Sequence, residues 1–210
     1  MIKVKKTIAG ALMVNCYIIE DVETGDIAIV DPGYTSTEIK RIVDEKSDKI
    51  KYILLTHGHF DHIGYVKKLT GLTNAKVVIS KLEEPFLLDT RLNLLPPSFG
   101  KFISDITADI TLNDNDELML GKTVIKYIST PGHTQGSGCF IVDNCIFTGD
   151  TLMKLSMGRT DLPTANHNDM LKSLKRLYNL DENYTVYPGH GDASTLEYEK
   201  KYNPYLKINK

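Results

Sequence analysis

No charge of one sign dominates this sequence. Its 25 Lys and Arg are offset by 27 Asp and Glu, for a formal net charge of −2, and the cations are not massed in one run. No electrostatic case for a nucleic-acid partner follows, because phosphate binding rests on concentrated Lys and Arg. Nor does any apolar run approach the ~20 residues of a membrane-spanning helix. Cysteine is scarce: Cys16, Cys139 and Cys145 sit in strand-like surroundings and form no Cys-x-x-Cys pair. An odd count so placed reads as reduced thiols packed as small apolar residues in a cytoplasmic protein, rather than as a metal site or a nucleophile. Low-complexity tracts are missing too. The 210 residues suit one domain of two pseudo-halves, about 1–110 and 111–210, enough for a sizeable core.

What the chain does have is histidine in unusual places. His57, His59 and His62, with Asp61, follow directly on the apolar run Tyr52-Ile53-Leu54-Leu55, which reads as a buried strand. Residues i and i+2 of a turning chain point to the same side, so His57 and His59 can grip one ion together. The spacing is not the helical His-Glu-x-x-His of zinc proteases, so further ligands must come from elsewhere. The same local grammar recurs in Thr130-Pro131-Gly132-His133, in Thr148-Gly149-Asp150 and in Pro188-Gly189-His190, each after a strand-like run. Ligands at the ends of several strands can converge on one edge of a sheet.

The pattern His-x-His-x-Asp-His at 57–62, followed by His133, Asp150 and His190, resembles the metallo-β-lactamase-fold hydrolases. Phe147-Thr148-Gly149-Asp150-Thr151, Gly158-Arg159-Thr160-Asp161-Leu162-Pro163, Tyr187-Pro188-Gly189-His190-Gly191, Glu199 and Asn203-Pro204-Tyr205-Leu206 are similar to the glyoxalase II-like branch, the hydroxyacylglutathione hydrolases. The resemblance implies a four-layer αβ/βα sandwich. It also implies two divalent cations, zinc first, with iron or manganese as options. His57, His59 and His133 would hold one, Asp61, His62 and His190 the other, and Asp150 would bridge them. Asp61 would also serve in catalysis. The implied reaction is hydrolysis of an acyl thioester such as S-lactoylglutathione, a small-molecule substrate. A mononuclear iron persulfide dioxygenase-like enzyme, or a lactonase of the same fold, is the alternative. Basic residues of a C-terminal helical region bind the glutathione carboxylates in glyoxalase II proteins; Lys201, Lys207 and Lys210 are not distinctive enough to take that role. Met153-Lys154-Leu155 stands where relatives more often carry small and aromatic residues. Lys154 is read as solvated rather than as a carboxylate ligand.

In chain order, residues 2–8, 14–20 and 27–31 read as strands. Lys3, Lys5, Lys6 and the apolar run from Ile8 imitate a signal peptide. The run continues into Asn15-Cys16-Tyr17, however, which resembles the family's second strand, so cleavage would remove part of the fold. Asp31-Pro32-Gly33 reads as a turn. Helices are expected over 36–45, capped by Ser36 or Thr37, over 61–69, 81–88 and 167–178, and from Ser194 onward. A helix start is a second reason for Asp61, although its histidine neighbours favour a metal role. His167 reads as a helix-start residue rather than a ligand. Further strands are expected over 52–55, 77–79, 117–120, 123–129, 138–142, 145–148 and 184–187. Residues 89–105 have no period and read equally as a lid or as a packed excursion.

Overall fold

The computed structural model describes residues 1–97 and 106–207. The expectation for 89–105 therefore falls in part on residues 98–105, which lie outside the described residues.

Two six-stranded sheets carry the fold. The first runs in chain order: β1 (Ile2–Ala9), β2 (Val14–Asp21), β3 (Ile27–Val30), β4 (Ile50–Leu54), β5 (Lys76–Ser80) and β6 (Ile110–Leu112). Its first three strands are antiparallel neighbours, and β3 to β6 are parallel. All four residues of β3 are buried, so its Ile27-Ala28-Ile29-Val30 reads as a continuous apolar run rather than an alternating one. The second sheet is built from β7 (Glu117–Leu120), β8 (Thr123–Ser129), β9 (Gly138–Val142), β10 (Cys145–Gly149), β13 (Thr185–Pro188) and β14 (Ser194–Thr195). A small ribbon, β11 (Leu152–Met153) and β12 (Ser156–Met157), stands apart.

Three cores define the layering. Tyr17, Ile19, Val30 and Leu54 of the first sheet meet Ile125, Tyr127, Phe140 and Phe147 of the second, which places the sheets face to face. Truncating Phe147 to Ala in that middle layer would cost about 3–5 kcal/mol. The outer side of the first sheet packs under α1 (Thr37–Lys46), α2 (Phe60–Ile63) and α3 (Val66–Thr70) through Ile39, Ile63 and Val66. On the far side of the second sheet lie α4 (His167–Tyr178), α5 (Leu196–Tyr202) and α6 (Pro204–Lys207), with Leu174, Leu177, Leu196 and Leu206 buried against it. The order helix, sheet, sheet, helix is the four-layer αβ/βα sandwich.

Local chemistry explains most boundaries. Ser36 accepts the Ile39 amide and starts α1, and Asn166 does the same for α4 with the Asp169 amide. Elsewhere the structure departs from the sequence reading. The helix expected over 61–69 splits, because the Pro32–Gly33 turn presses against Gly64, where a Cβ would lie 2.4 Å from the Gly33 carbonyl oxygen. The helix expected over 81–88 shrinks to one 3₁₀ turn, Glu84–Leu87, with Pro85, which has no amide to donate, near its start. Ser194 pairs in β14, and the helix begins at Leu196, capped by Thr195. The strands β6, β11, β12 and β14 are too short to show a period of two.

Candidate metal centre

Each ligand-type side chain leaves the end of a strand. After β4 the chain turns through His57 and His59 into α2, which carries Asp61 and His62. His133 follows β8, Asp150 stands one residue past β10, and His190 two residues past β13. All seven sequence-identified residues meet, as three overlapping groups: His57, His59 and His133; His57, His62 and Asp150; Asp61, His62 and His190. Within each group the donor atoms lie within 4.8 Å of one another. His59 Nδ1 and His133 Nε2 are 3.0 Å apart. Asp61 Oδ2 lies 3.4 Å from His190 Nε2 and 3.7 Å from His62 Nε2. Asp150 stands between the groups, with Oδ1 3.6 Å from His62 Nε2 and Oδ2 3.6 Å from His133 Nε2 and 3.7 Å from His190 Nε2. Asp61 also occupies the first turn of α2.

The outer nitrogens of four of the five rings are held in place. His133 Nδ1 donates to the Arg159 carbonyl at 2.9 Å and His190 Nδ1 to the Leu12 carbonyl at 3.1 Å. His62 Nδ1 lies 3.0 Å from Asp31 Oδ2, and His57 Nδ1 lies 3.1 Å from Thr56 Oγ1. A ring that donates from Nδ1 presents the Nε2 lone pair inward, the tautomer a metal needs.

The residues fit a cation. His57 Nε2, His62 Nε2 and Asp150 Oδ1 are buried without a hydrogen-bond partner, and leaving each so would cost ~1–3 kcal/mol. Two nitrogens on a tetrahedral ion at ~2.0–2.1 Å stand ~3.3 Å apart, close to the spacings seen. Burial, then the neighbouring rings, holds His57 well below the usual imidazole range and His59 at about 3, so both are neutral ligands. Burial alone would lower His62 too, but Asp61, Asp150 and Asp31 push it up to about 10. Burial alone would raise Asp61, yet His62 and His190 hold it well below the carboxylate range. The centre thus concentrates negative charge, the complement of divalent metal. No thiolate takes part: all three cysteines are buried and free, and burial pushes Cys139 up to about 12. At Gly189 a Cβ would lie 2.2 Å from Asp150 Oδ1, so only glycine lets that loop close on the centre.

Several supporting residues escaped the sequence reading. Asp31, read as part of a turn, is a buried carboxylate that orients His62 and accepts both the Thr56 amide and hydroxyl. Glu83, expected on a helix, is fully buried; its two oxygens accept the Gly58 amide at 2.8 Å and the Gly136 amide at 2.9 Å, tying the two ligand loops together. Asn15 donates to the Pro188 and Gly191 carbonyls, and the Tyr17 hydroxyl to that of Pro188, so β2 anchors the His190 loop. The available signal was that Asp31 ends an apolar strand, as the ligands do. His167 is exposed at the start of α4, with Nδ1 near Thr160. Lys154 is exposed and paired with Asp192.

A cleft of about 390 Å³ opens onto the centre and is walled by apolar side chains. Among the described residues no helix is long and apolar enough to cross a membrane.

Strand-end His and Asp ligands under a four-layer sandwich define a metallohydrolase-type fold. The chain matches the Metallo-beta-lactamase superfamily over residues 9–190 and belongs to that family. It is 36% identical to an uncharacterized protein of Mycobacterium leprae, over 95% of this chain and 96% of that one. Likewise it is 31% identical to hydroxyacylglutathione hydrolase GloC of Haemophilus influenzae, over 93% of this chain and 94% of that one. Among solved structures it is similar to the BLEG-1 B3 metallo-beta-lactamase, with a TM-score of 0.88, 30% identity and coverage of 97% and 99%. The di-iron-bound form of TTHA1623 matches with a TM-score of 0.80, 29% identity and coverage of 96% and 99%.

Proposed function

We propose that the protein is a binuclear metal-dependent thioesterase acting on S-acyl thiols, with S-lactoylglutathione the first substrate to test. The observation that carries this reading is the convergence of seven donors, none a thiolate, at the floor of an open cleft. Structural zinc sites are closed, whereas catalytic ones keep positions for water. His57, His59 and His133 would hold one cation, Asp61, His62 and His190 the other, and Asp150 would reach both. Zinc is the first choice, and iron and manganese suit the same donors. When bound, the pair supplies water of near-neutral pKa and positive charge for a developing oxyanion.

The remaining work falls to the chain. Asp61, ionised and lining the cleft, holds and orients the attacking water. Asp31, Thr56 and the two backbone carbonyls keep the rings aimed. The described cleft-lining residues outside the centre offer Arg159, whose guanidinium is held charged by Asp161, and otherwise side chains that do not titrate. Such a site suits a leaving group that departs unprotonated. A thiol, with a pKa of ~8.5, does so, unlike an alcohol or an amine. The likeness to the Haemophilus influenzae hydrolase supports the same choice.

The test is to count metal per chain and to follow thiol release from S-lactoylglutathione and from simple acyl thioesters, with and without chelator. Metal-dependent thiol release is expected. Release unaffected by chelation and by His59→Ala would overturn the reading.

A further inference from the structure

We infer that the cleft beside the metal centre binds an unsubstituted, apolar acyl group, so that the preferred thioesters carry aliphatic rather than hydroxylated or charged acyl chains. This rests on the thioesterase reading and narrows it. The apolar part of the wall facing the centre is made by Leu12, Phe60, Leu94, Met153, Met157 and Leu162, and Gly158 and Arg159 complete the lining. None of the apolar side chains has a hydrogen-bonding group to offer an acyl hydroxyl or carboxylate. They come from separate segments: the β1–β2 turn, α2, the stretch after the 3₁₀ turn, the β11–β12 ribbon and the loop before α4. Leu12, Leu94, Met153 and Leu162 belong to none of the three cores, so folding alone does not account for their apolarity. Leu12 is 50% exposed, at the mouth of a buried polar site.

The backbone supplies a second, independent observation. Leu94 has φ 61° and lies in the wall; Met13 (φ 53°) and Leu155 (φ 58°) adjoin Leu12 and the two wall methionines. Bulky residues rarely adopt this left-handed conformation, and such outliers persist where surrounding structure over-determines them, often at ligand sites. The ribbon is held deliberately. Glu199 accepts the Leu155 amide, and the Asn203 side chain donates to the Met153 and Ser156 carbonyls and to Glu199. A buried carboxylate and amide from the C-terminal helices thus fix the strand pair that presents Met153 and Met157. Methionine suits the task, being flexible enough to close on chains of different length. The cations at the edge are engaged: Arg159 forks onto Asp161 at 2.9 Å for both contacts, and Lys154 pairs with Asp192 at 3.1 Å.

The experiment uses the metal-loaded protein and two series of thioesters. One varies the acyl group from acetyl through butanoyl and hexanoyl to octanoyl on a constant thiol. The other varies thiol length on a constant acetyl group. The kcat/KM should rise roughly fourfold per acyl methylene until the wall is covered, with hexanoyl above lactoyl, and should respond less to thiol length. Leu94→Asn, which suits the left-handed backbone and so preserves the fold, should reduce the hexanoyl-to-acetyl preference about tenfold. Turnover that is flat in acyl length, or that follows the thiol instead, overturns this inference and leaves the thioesterase reading standing. No turnover of any thioester removes that reading. Calorimetry with a non-hydrolysable alkyl ketone analogue then judges the wall by itself: tighter binding with a longer alkyl chain supports it, and no dependence on length overturns it.

Discussion

The two halves of the molecule hold the same kind of ligand by different means. In the first half, four ligands sit within six residues on one loop, and side chains steady them: Asp31 for His62, Thr56 for His57. In the second half, three ligands arrive one per loop. The two imidazoles among them rest on backbone carbonyls of Arg159 and Leu12. Burial does not follow the same division: the His133 side chain is as buried as those of the first half, and only that of His190, 26% exposed, stands apart. A crowded loop needs side-chain partners, because its own backbone is committed to turning sharply into α2. Ligands spread over three strand ends can borrow main chain from neighbouring loops. The rings of the first half are therefore open to disruption by substitution of the residues that orient them, whereas those of the second are oriented by main-chain groups that substitution leaves in place.

The largest effect should come from removing a first-half ligand that lies directly against one from the second. His59→Ala takes away the ring 3.0 Å from His133 and should abolish metal binding at that position, lowering kcat/KM by roughly three orders of magnitude. Metal stoichiometry and thiol release check it together. Next, Asp31→Asn keeps size but loses the carboxylate that orients His62, and metal affinity should fall about 10–100-fold. An unchanged affinity by competitive chelation would erase the distinction between the halves.

Glu83, which joins them, should show itself in pH dependence. Burial raises its carboxyl from 4.5 to about 7, against the opposing pull of the Gly58, Thr134 and Gly136 hydrogen bonds. Between those values the folded state keeps a proton that the unfolded chain has released, so stability falls as pH rises through the window. Glu83→Gln should flatten that slope, by ~1–3 kcal/mol at its upper end, in denaturant midpoints measured across pH. Parallel profiles for the two proteins would rule the assignment out. The smallest effect is expected from Arg159→Ala. The carbonyl that holds His133 remains, so metal affinity should change less than about threefold. A loss as large as that of Asp31→Asn would show that the second half depends on side chains after all.

The ligands were legible in the sequence because so few residue types bind metal and because each follows an apolar strand directly. His57 and His133 needed no knowledge of contacts to be noticed. Asp31 ends β3 in the same manner but precedes Pro32 and Gly33, and the turn explained it well enough to hide it. Its role depends on β3 and β4 lying parallel, which brings it to Thr56, and on α2, which returns His62. Glu83 was masked by a helix-like stretch that Pro85 cuts short. The apolar wall was still less visible: Leu12 read as part of an apolar run that imitates a signal peptide, Leu94 as part of an aperiodic segment, and Met153 as a departure from its relatives.

The sequence by itself determined the chemical kind of the centre and the strand ends that carry it, since donor type and apolar patterning are local properties. Only the tertiary structure decided which donors meet, which tautomer each ring presents, and what faces the open side. Those depend on contacts between residues as much as 178 positions apart, as between His190 and Leu12, and no local pattern encodes which of them the packing will bring together.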